Sequence, residues 1–164
     1  IAILNENEIT PLVERIPEDM NIELNVSCPN AEKTMIQNGL KQFINDKRKY
    51  CIIKLSPKAD FKLIDSFYKQ GFRQFHCSNT IPIKEGGLSG KQIIPYTTSL
   101  ISYIHTKYPE CFIIAGGGIH DYQTMRYYNK YGVNNYSVST IFFNPFKFCS
   151  LYYNYIYNNA HISK

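Results

Sequence analysis

Short apolar runs rich in Ile, Val and Phe alternate along this chain with longer stretches whose apolar residues recur at helical spacing. The runs at 22–26, 51–55, 74–77, 112–115 and 135–138 are bounded by Ser, Pro, Asn or Gly, as expected of strands buried on both faces. Between them, Met35, Ile36, Leu40, Phe43 and Ile44 predict one helix, and Leu63, Ile64, Phe67 and Tyr68, closed by Gly71, a second. Leu100, Ile101 and Ile104 predict a third, and Tyr122, Met125 and Tyr128, closed by Gly132, a fourth. A glycine just past the last periodic residue supplies the left-handed backbone that ends a helix. The tail after Pro145, with Phe146, Cys149 and Tyr153, predicts a last helix. This alternation implies βα units and a parallel α/β sheet. Five strands suit either a doubly wound sheet or part of a (β/α)8 TIM barrel. A full barrel takes about 250 residues, so a single domain over 1–164 would be a partial barrel.

Composition narrows the class without naming the chemistry. Hydrophobic residues make up 44% and charged residues 19%, the balance of a packed globular chain. The formal charge of +5, from 18 Lys and Arg against 13 Asp and Glu, is scattered along the chain. Neither the clustered basic stripe nor the reading motif of a nucleic-acid binder is present. No apolar run reaches the roughly 18 residues of a membrane-spanning helix. Five cysteines are an odd number with no C-x-x-C pair, which argues against a disulfide framework or a zinc finger and for a reducing, cytoplasmic compartment. The chain opens at Ile1 rather than Met, so no targeting signal is read from that end. The N-x-S matches at Asn25 and Asn135 fall on predicted strands and are read as accidents.

In either parallel architecture the chemistry belongs at the carboxyl ends of the strands, where this chain concentrates its unusual residues. The first strand runs into Asn25-Val26-Ser27-Cys28-Pro29-Asn30, the second carries Lys54, and the third ends in Ser78-Asn79-Thr80. The fourth ends in Gly116-Gly117-Gly118 and the fifth in Ser139-Thr140. A glycine run lets backbone approach a phosphate or simply makes a tight turn. Its pairing with Ser139-Thr140 after the last strand favours the phosphate. Asp121 stands where a dinucleotide fingerprint needs its third glycine. Lys54, inside a buried-strand pattern, reads as a cation aimed at a ligand, against the alternative of a strand-end lysine reaching solvent. Asn25, Asn30 and Asn79 suit a planar heterocycle with carbonyls and N–H groups, though asparagines also close Asx turns. Cys28 at a strand mouth reads as chemistry, while Cys51, Cys77, Cys111 and Cys149 read as packing. Gly86–Gly90 forms a second glycine-rich loop able to wrap a cofactor. His76 and His120 lack a carboxylate at a telling spacing and read as structural or solvent-facing.

In order, Glu23–Asn30, Ile53-Lys54-Leu55-Ser56-Pro57, Ser78-Asn79-Thr80, Gly86–Lys91, Ile113–Ile119 and Ser139-Thr140 resemble the dihydroorotate dehydrogenase family over nearly the whole chain. The resemblance implies a (β/α)8 barrel holding FMN at its mouth, and oxidation of dihydroorotate to orotate with hydride passing to flavin N5. It implies that Cys28 is the base, the cytosolic class having cysteine there and the membrane-associated, quinone-using class serine. It implies that Asn25, Asn30, Asn79 and Thr80 hold the pyrimidine, with Asn25 also near the flavin. Lys54 would sit at the flavin pyrimidine edge, favouring the anionic reduced form. Ser78 and Gly90 would touch the flavin, while Gly117, Gly118, Ser139 and Thr140 cradle its phosphate. No metal is implied. Against the family's pattern Asn25 ends the fourth barrel strand, Ser139 the eighth, and Ile1-Ala2 is the tail of the third. Strands one to three are missing, and the open edges this leaves imply a homo-oligomer. The Gly86–Lys91 segment also resembles the membrane-associated class, so the class rests mainly on Cys28. The alternatives are a related flavin oxidoreductase acting on another dihydropyrimidine, and a non-catalytic barrel remnant.

Overall fold

A computed structural model describes residues 1–3, 5–26, 39–78, 80–84, 86–133 and 135–162. Its elements in chain order are α1 (Ile9–Arg15), β1 (Ile22–Asn25), β2 (Cys51–Leu55), α2 (Phe61–Lys69), β3 (Gln74–Cys77), β4 (Ile81–Ile83), β5 (Gly86–Leu88), α3 (Ile94–Lys107), β6 (Phe112–Gly116), α4 (Tyr122–Asn129), β7 (Asn135–Ser137) and α5 (Pro145–Ile162). Five strands form one parallel sheet in the order β1-β2-β3-β6-β7. Each new strand therefore joins the same growing edge. A doubly wound sheet reverses its strand order at a switch point, and this sheet does not. The order is that of a barrel wall, as a partial (β/α)8 barrel requires. On the first edge, the Asn25 amide donates to the Ile1 carbonyl at 2.8 Å and Ala2 bridges Asn25 in parallel, which sets Ile1-Ala2 beside β1 as the end of a preceding strand.

Alternation along the strands sorts their side chains onto two faces. Ile22, Leu24, Ile53, Leu55, Phe75, Cys77, Ile113 and Ala115 form a buried core with Ile64 and Phe67 of α2, Leu100, Ile101 and Ile104 of α3, and Met125 and Tyr128 of α4. Glu23, Asn25, Lys54, His76 and Gly116 alternate with these residues and occupy the second face, which becomes the lumen when such a sheet closes. Local chemistry starts and stops the helices where the sequence predicts. Asp60 caps α2 by accepting from the Lys62 amide at 2.9 Å, and Asp121 caps α4 by accepting from the Thr124 amide at 2.8 Å. Gly71 and Gly132 end the two helical segments at φ +107° and +82°.

Four readings change. Within the first predicted helix, Leu40 and Phe43 are buried but lie on a short 3-10 turn entered through Gly39 at φ +103°, and Ile44 is already extended; Met35 and Ile36 lie outside the described residues. The Gly86–Gly90 loop instead begins as strand β5, paired antiparallel with β4. The glycines hid that hairpin, because they are poor strand formers. The last helix exists, but Phe146, Cys149 and Tyr153 are on its exposed side, while Leu151 is buried and Phe148 and Tyr155 pack on the core. Cys149 is therefore not a packing residue.

Candidate active site

Lys54, Ser78, Thr80, Gly90, Gly117, Gly118, Ser139 and Thr140 line one cavity of about 110 Å³ at the carboxyl ends of the parallel strands, together with His76, Ile119 and Ser137. Four separate βα units contribute, so the convergence comes from sheet topology. The volume is below the roughly 300–1,000 Å³ of pockets that enclose a whole small molecule. The cavity by itself therefore does not enclose a whole ligand. A larger groove of about 590 Å³ between α4 and α5 contains none of the predicted site residues.

The glycine turn is braced from behind. Gly117 and Gly118 have φ +89° and +74°, and a Cβ on either would come within 2.3–2.4 Å of Ile93 or Ile94. Only glycine brings this backbone under the start of α3 while keeping it at the cavity wall. The Tyr128 hydroxyl donates to the Gly117 carbonyl at 3.0 Å, and Thr97 Oγ1 donates to the Gly116 carbonyl at 3.1 Å. Thr97 also meets Ser78 Oγ at 2.8 Å in a buried contact. Gly90, at φ +86°, has nothing within 4 Å of where its Cβ would be. Ser139 precedes a 3-10 turn, its carbonyl accepting from the Phe142 amide at 3.0 Å. A lysine ammonium, hydroxyls and approachable glycine backbone are the donor set that an anionic, phosphorylated ligand requires.

The charge at this wall is shared by three strands. Glu23 Oε1 is 3.3 Å from Lys54 Nζ, and Glu23 Oε2 is 2.7 Å from His76 Nδ1. The hydrogen bond from His76 is the largest influence on Glu23; it outweighs burial and, with the charges of His76 and Lys54, holds the carboxyl down at about 2. His76 is 4% exposed, and among the described residues its Nε2 has no hydrogen-bond partner. Its carboxylate is 53 residues away in sequence, and of the two expected alternatives, structural or solvent-facing, burial excludes the second. Strand alternation, which puts His76 and Glu23 on the same face as Lys54 and Asn25, was the available signal. His120 likewise has a carboxylate, Asp121 at 3.0 Å, and its Nδ1 donates to the Gly118 carbonyl at 2.7 Å. Asn25 lies in register beside Lys54 and does not line the cavity. Cys28, Asn30 and Asn79 lie outside the described residues. The Cys51 thiol is pushed up to about 11 by burial and the Cys77 thiol is pushed up further, so neither is a ready nucleophile. Among the described residues no group of three or more His, Cys, Asp or Glu could hold a metal, and no helix is long and apolar enough to cross a membrane.

No family model matches the chain. The catalytic subunit of dihydroorotate dehydrogenase B (NAD(+)) from Petrotoga mobilis is 31% identical over 150 residues, covering 76% of this chain and 50% of that protein. The corresponding subunit from Thermotoga maritima is 25% identical over 142 residues, covering 74% and 53%. The chain thus spans about half the length of the curated relatives it matches. Two crystal structures of the dihydroorotate dehydrogenase of Eimeria tenella share the fold. The ligand-free form has a TM-score of 0.70 at 18% identity, covering 91% of this chain and 54% of that one. The ferulenol complex has 0.67 at 19%, covering 85% and 50%. In sequence and in fold, this chain is similar to the dihydroorotate dehydrogenases over about half of their length, as a partial (β/α)8 barrel.

Proposed function

We propose that this chain supplies one wall of an FMN-dependent dihydroorotate dehydrogenase, which oxidises dihydroorotate to orotate in pyrimidine biosynthesis in the cytoplasm. The observation that carries the reading is the convergence of Lys54, Ser78, Thr80, Gly90, Gly117, Gly118, Ser139 and Thr140 on one cavity at the strand ends. Bound FMN would supply the hydride acceptor. The chain's own residues bind, orient and move a proton. Gly117 and Gly118 offer backbone, and Ser139 and Thr140 offer hydroxyls, to the phosphate. Lys54 faces negative charge on the ligand, with Ser78 and Gly90 against the flavin. Asn25, Asn30, Asn79 and Thr80 orient the pyrimidine through paired donors and acceptors. Cys28 Sγ takes the ring proton. Among the described residues β7 pairs with no further strand, and that edge favours association with a second copy or with the rest of a barrel.

The test is flavin retention by the natural protein, followed by anaerobic stopped-flow reduction with dihydroorotate or dihydrouracil. Retained flavin, bleached by dihydroorotate and not by dihydrouracil, is the expected result. Bleaching by dihydrouracil alone would move the assignment to another dihydropyrimidine, and a protein that holds no flavin would sink the reading. Cys28→Ala should keep its flavin and lose about 10²–10⁴-fold in reduction rate. The wild-type rate should rise as pH climbs toward about 8.5, the ordinary thiol range.

A further inference from the structure

We propose that Glu23 and His76 are positioning residues for Lys54, setting how much positive charge this lysine presents to an anionic ligand at the strand ends. The inference rests on the reading above and deepens it. Pairing of β1, β2 and β3 brings Asn25, Lys54 and His76 into one row across the second face, with Glu23 one same-face step before Asn25. From there the Glu23 carboxylate divides between two neighbours, Lys54 Nζ at 3.3 Å and His76 Nδ1 at 2.7 Å. His76 has little freedom to swing away. It is 4% exposed, and its Nε2 lies where Gly116 leaves room, 2.2 Å from the position a Cβ would take there. Among the described residues this buried Nε2 has no hydrogen-bond partner. A proton on it would be a buried donor without an acceptor, so the favoured tautomer carries hydrogen on Nδ1, donated to Glu23.

An anionic ligand at the strand ends meets a Lys54 ammonium already paired with the Glu23 carboxylate at 3.3 Å, so it must compete with Glu23 for that charge. Neutralising Glu23 would leave the cation unopposed, and neutralising Lys54 would leave the carboxylate alone. Glu23 from β1 and Lys54 from β2 are the titratable groups facing His76 among the described residues. Ile114, Gly116, Ser137 and Ser78, from β6, β7 and the end of β3, carry no charge.

The experiment is a spectroelectrochemical titration of the FMN-loaded protein as wild type, Glu23→Gln and Lys54→Met, joined to ¹⁵N-histidine NMR of the flavin-free protein. Glu23→Gln should shift the two-electron equilibrium toward reduced flavin by about tenfold, or about 30 mV. Lys54→Met should shift it the opposite way. Loosened packing would not produce opposite signs, so an unmoved potential in Glu23→Gln, or a shift of the same sign in both, overturns the proposal. In the NMR arm, wild-type His76 should show hydrogen on Nδ1 and a bare Nε2. A protein that binds no FMN would refute the function proposed above and leave the histidine arm to decide. There, an Nε2–H tautomer in the wild type overturns the positioning role. The wild-type tautomer decides should Glu23→Gln not fold.

Discussion

Two clusters in this molecule are built from the same parts, a carboxylate, a lysine and ring side chains, yet they are suited to different work. Between α2 and α3, Asp65 accepts from Tyr103 at 2.7 Å, Tyr108 at 2.7 Å and Lys107 at 2.8 Å. Lys107 also donates to the Tyr103 hydroxyl at 2.8 Å. The hydrogen bond from Lys107, followed by that from Tyr103, holds the Asp65 carboxyl down at about 2. Phe61 stacks on Tyr103 at 4.1 Å and Tyr68 on Tyr108 at 3.8 Å, so the rings are occupied too. At the strand ends, by contrast, Lys54 meets Glu23 at a looser 3.3 Å, and His76 Nε2 is buried without a partner among the described residues. The first network closes on itself and fastens two helices. The second keeps Lys54 at a cavity wall, where a ligand can compete for it.

The sharpest way to break this contrast is to remove each lysine in turn. Lys54→Ala should slow flavin reduction by substrate by about 10²-fold, the usual cost of losing one preorganised charge-stabilising donor, and should lower the flavin potential. Lys107→Ala should change neither. Equal effects in rapid-reaction kinetics would mean that Lys54 is only another structural lysine.

Next in size is the packing beneath His76. A Cβ at Gly116 would lie 2.2 Å from Nε2, 2.9 Å from Cδ2 and 3.2 Å from the Ser78 carbonyl. Gly116→Ala should therefore displace a buried ring and cost about 1–3 kcal/mol, as overpacking does. Urea unfolding monitored by circular dichroism would measure it. Adding His76→Ala should recover part of the loss, because the clash is with the ring. A double mutant no better than the single would place the strain elsewhere.

Much of this was legible in sequence because the strands are short and buried on both faces, so their apolar runs stand out against polar ends. The site wall could be found because parallel α/β chemistry gathers at those ends, whichever strands they belong to. The Glu23–His76 pair was hidden by distance along the chain: no local spacing reports a contact that only strand register creates. The β4–β5 hairpin was hidden because two of its residues are the glycines Gly86 and Gly87. Helix α5 was recognised but its buried side was not, because aromatic residues surround it and periodicity cannot choose among Phe146, Phe148, Tyr153 and Tyr155. The turn at Leu40–Phe43 shows the same limit in small: burial of Leu40 and Phe43, three apart, suits a 3-10 turn as well as an α-helix.

A smaller effect separates the clusters by pH. Glu23 and Asp65 both have folded values near 2, below their ordinary range. Each therefore adds stability that is fully present above about pH 4.5 and is lost as pH falls toward 2. For Glu23, whose side chain is 35% exposed, solvent screening reduces this to about 1 kcal/mol. Glu23→Gln and Asp65→Asn should each flatten part of the acid limb of stability against pH. High salt should weaken the contribution of Asp65, whose partner Lys107 is 46% exposed, more than that of Glu23, whose partner His76 is 5% exposed. Chemical melts at pH 3 and 7, in low and high salt, would show whether burial divides the two as described.

The smallest effect is the most selective. Tyr103→Phe deletes one hydroxyl and leaves the ring, so the stack on Phe61 persists while Asp65 loses one of its donors. Tyr108 and Lys107 still hold that carboxylate, so no buried acceptor is stranded and the cost should be about 0.5 kcal/mol. A chain of this size should then melt about 1–2 °C lower. Flavin affinity, potential and reduction rate should all be unmoved, because the removed hydroxyl serves a network whose donors and acceptors are already matched to one another. Calorimetry and flavin titration on the same preparation make the comparison. A change in flavin binding from so slight a deletion between α2 and α3 would mean that the closed network reaches the strand ends, and that the two clusters act as one.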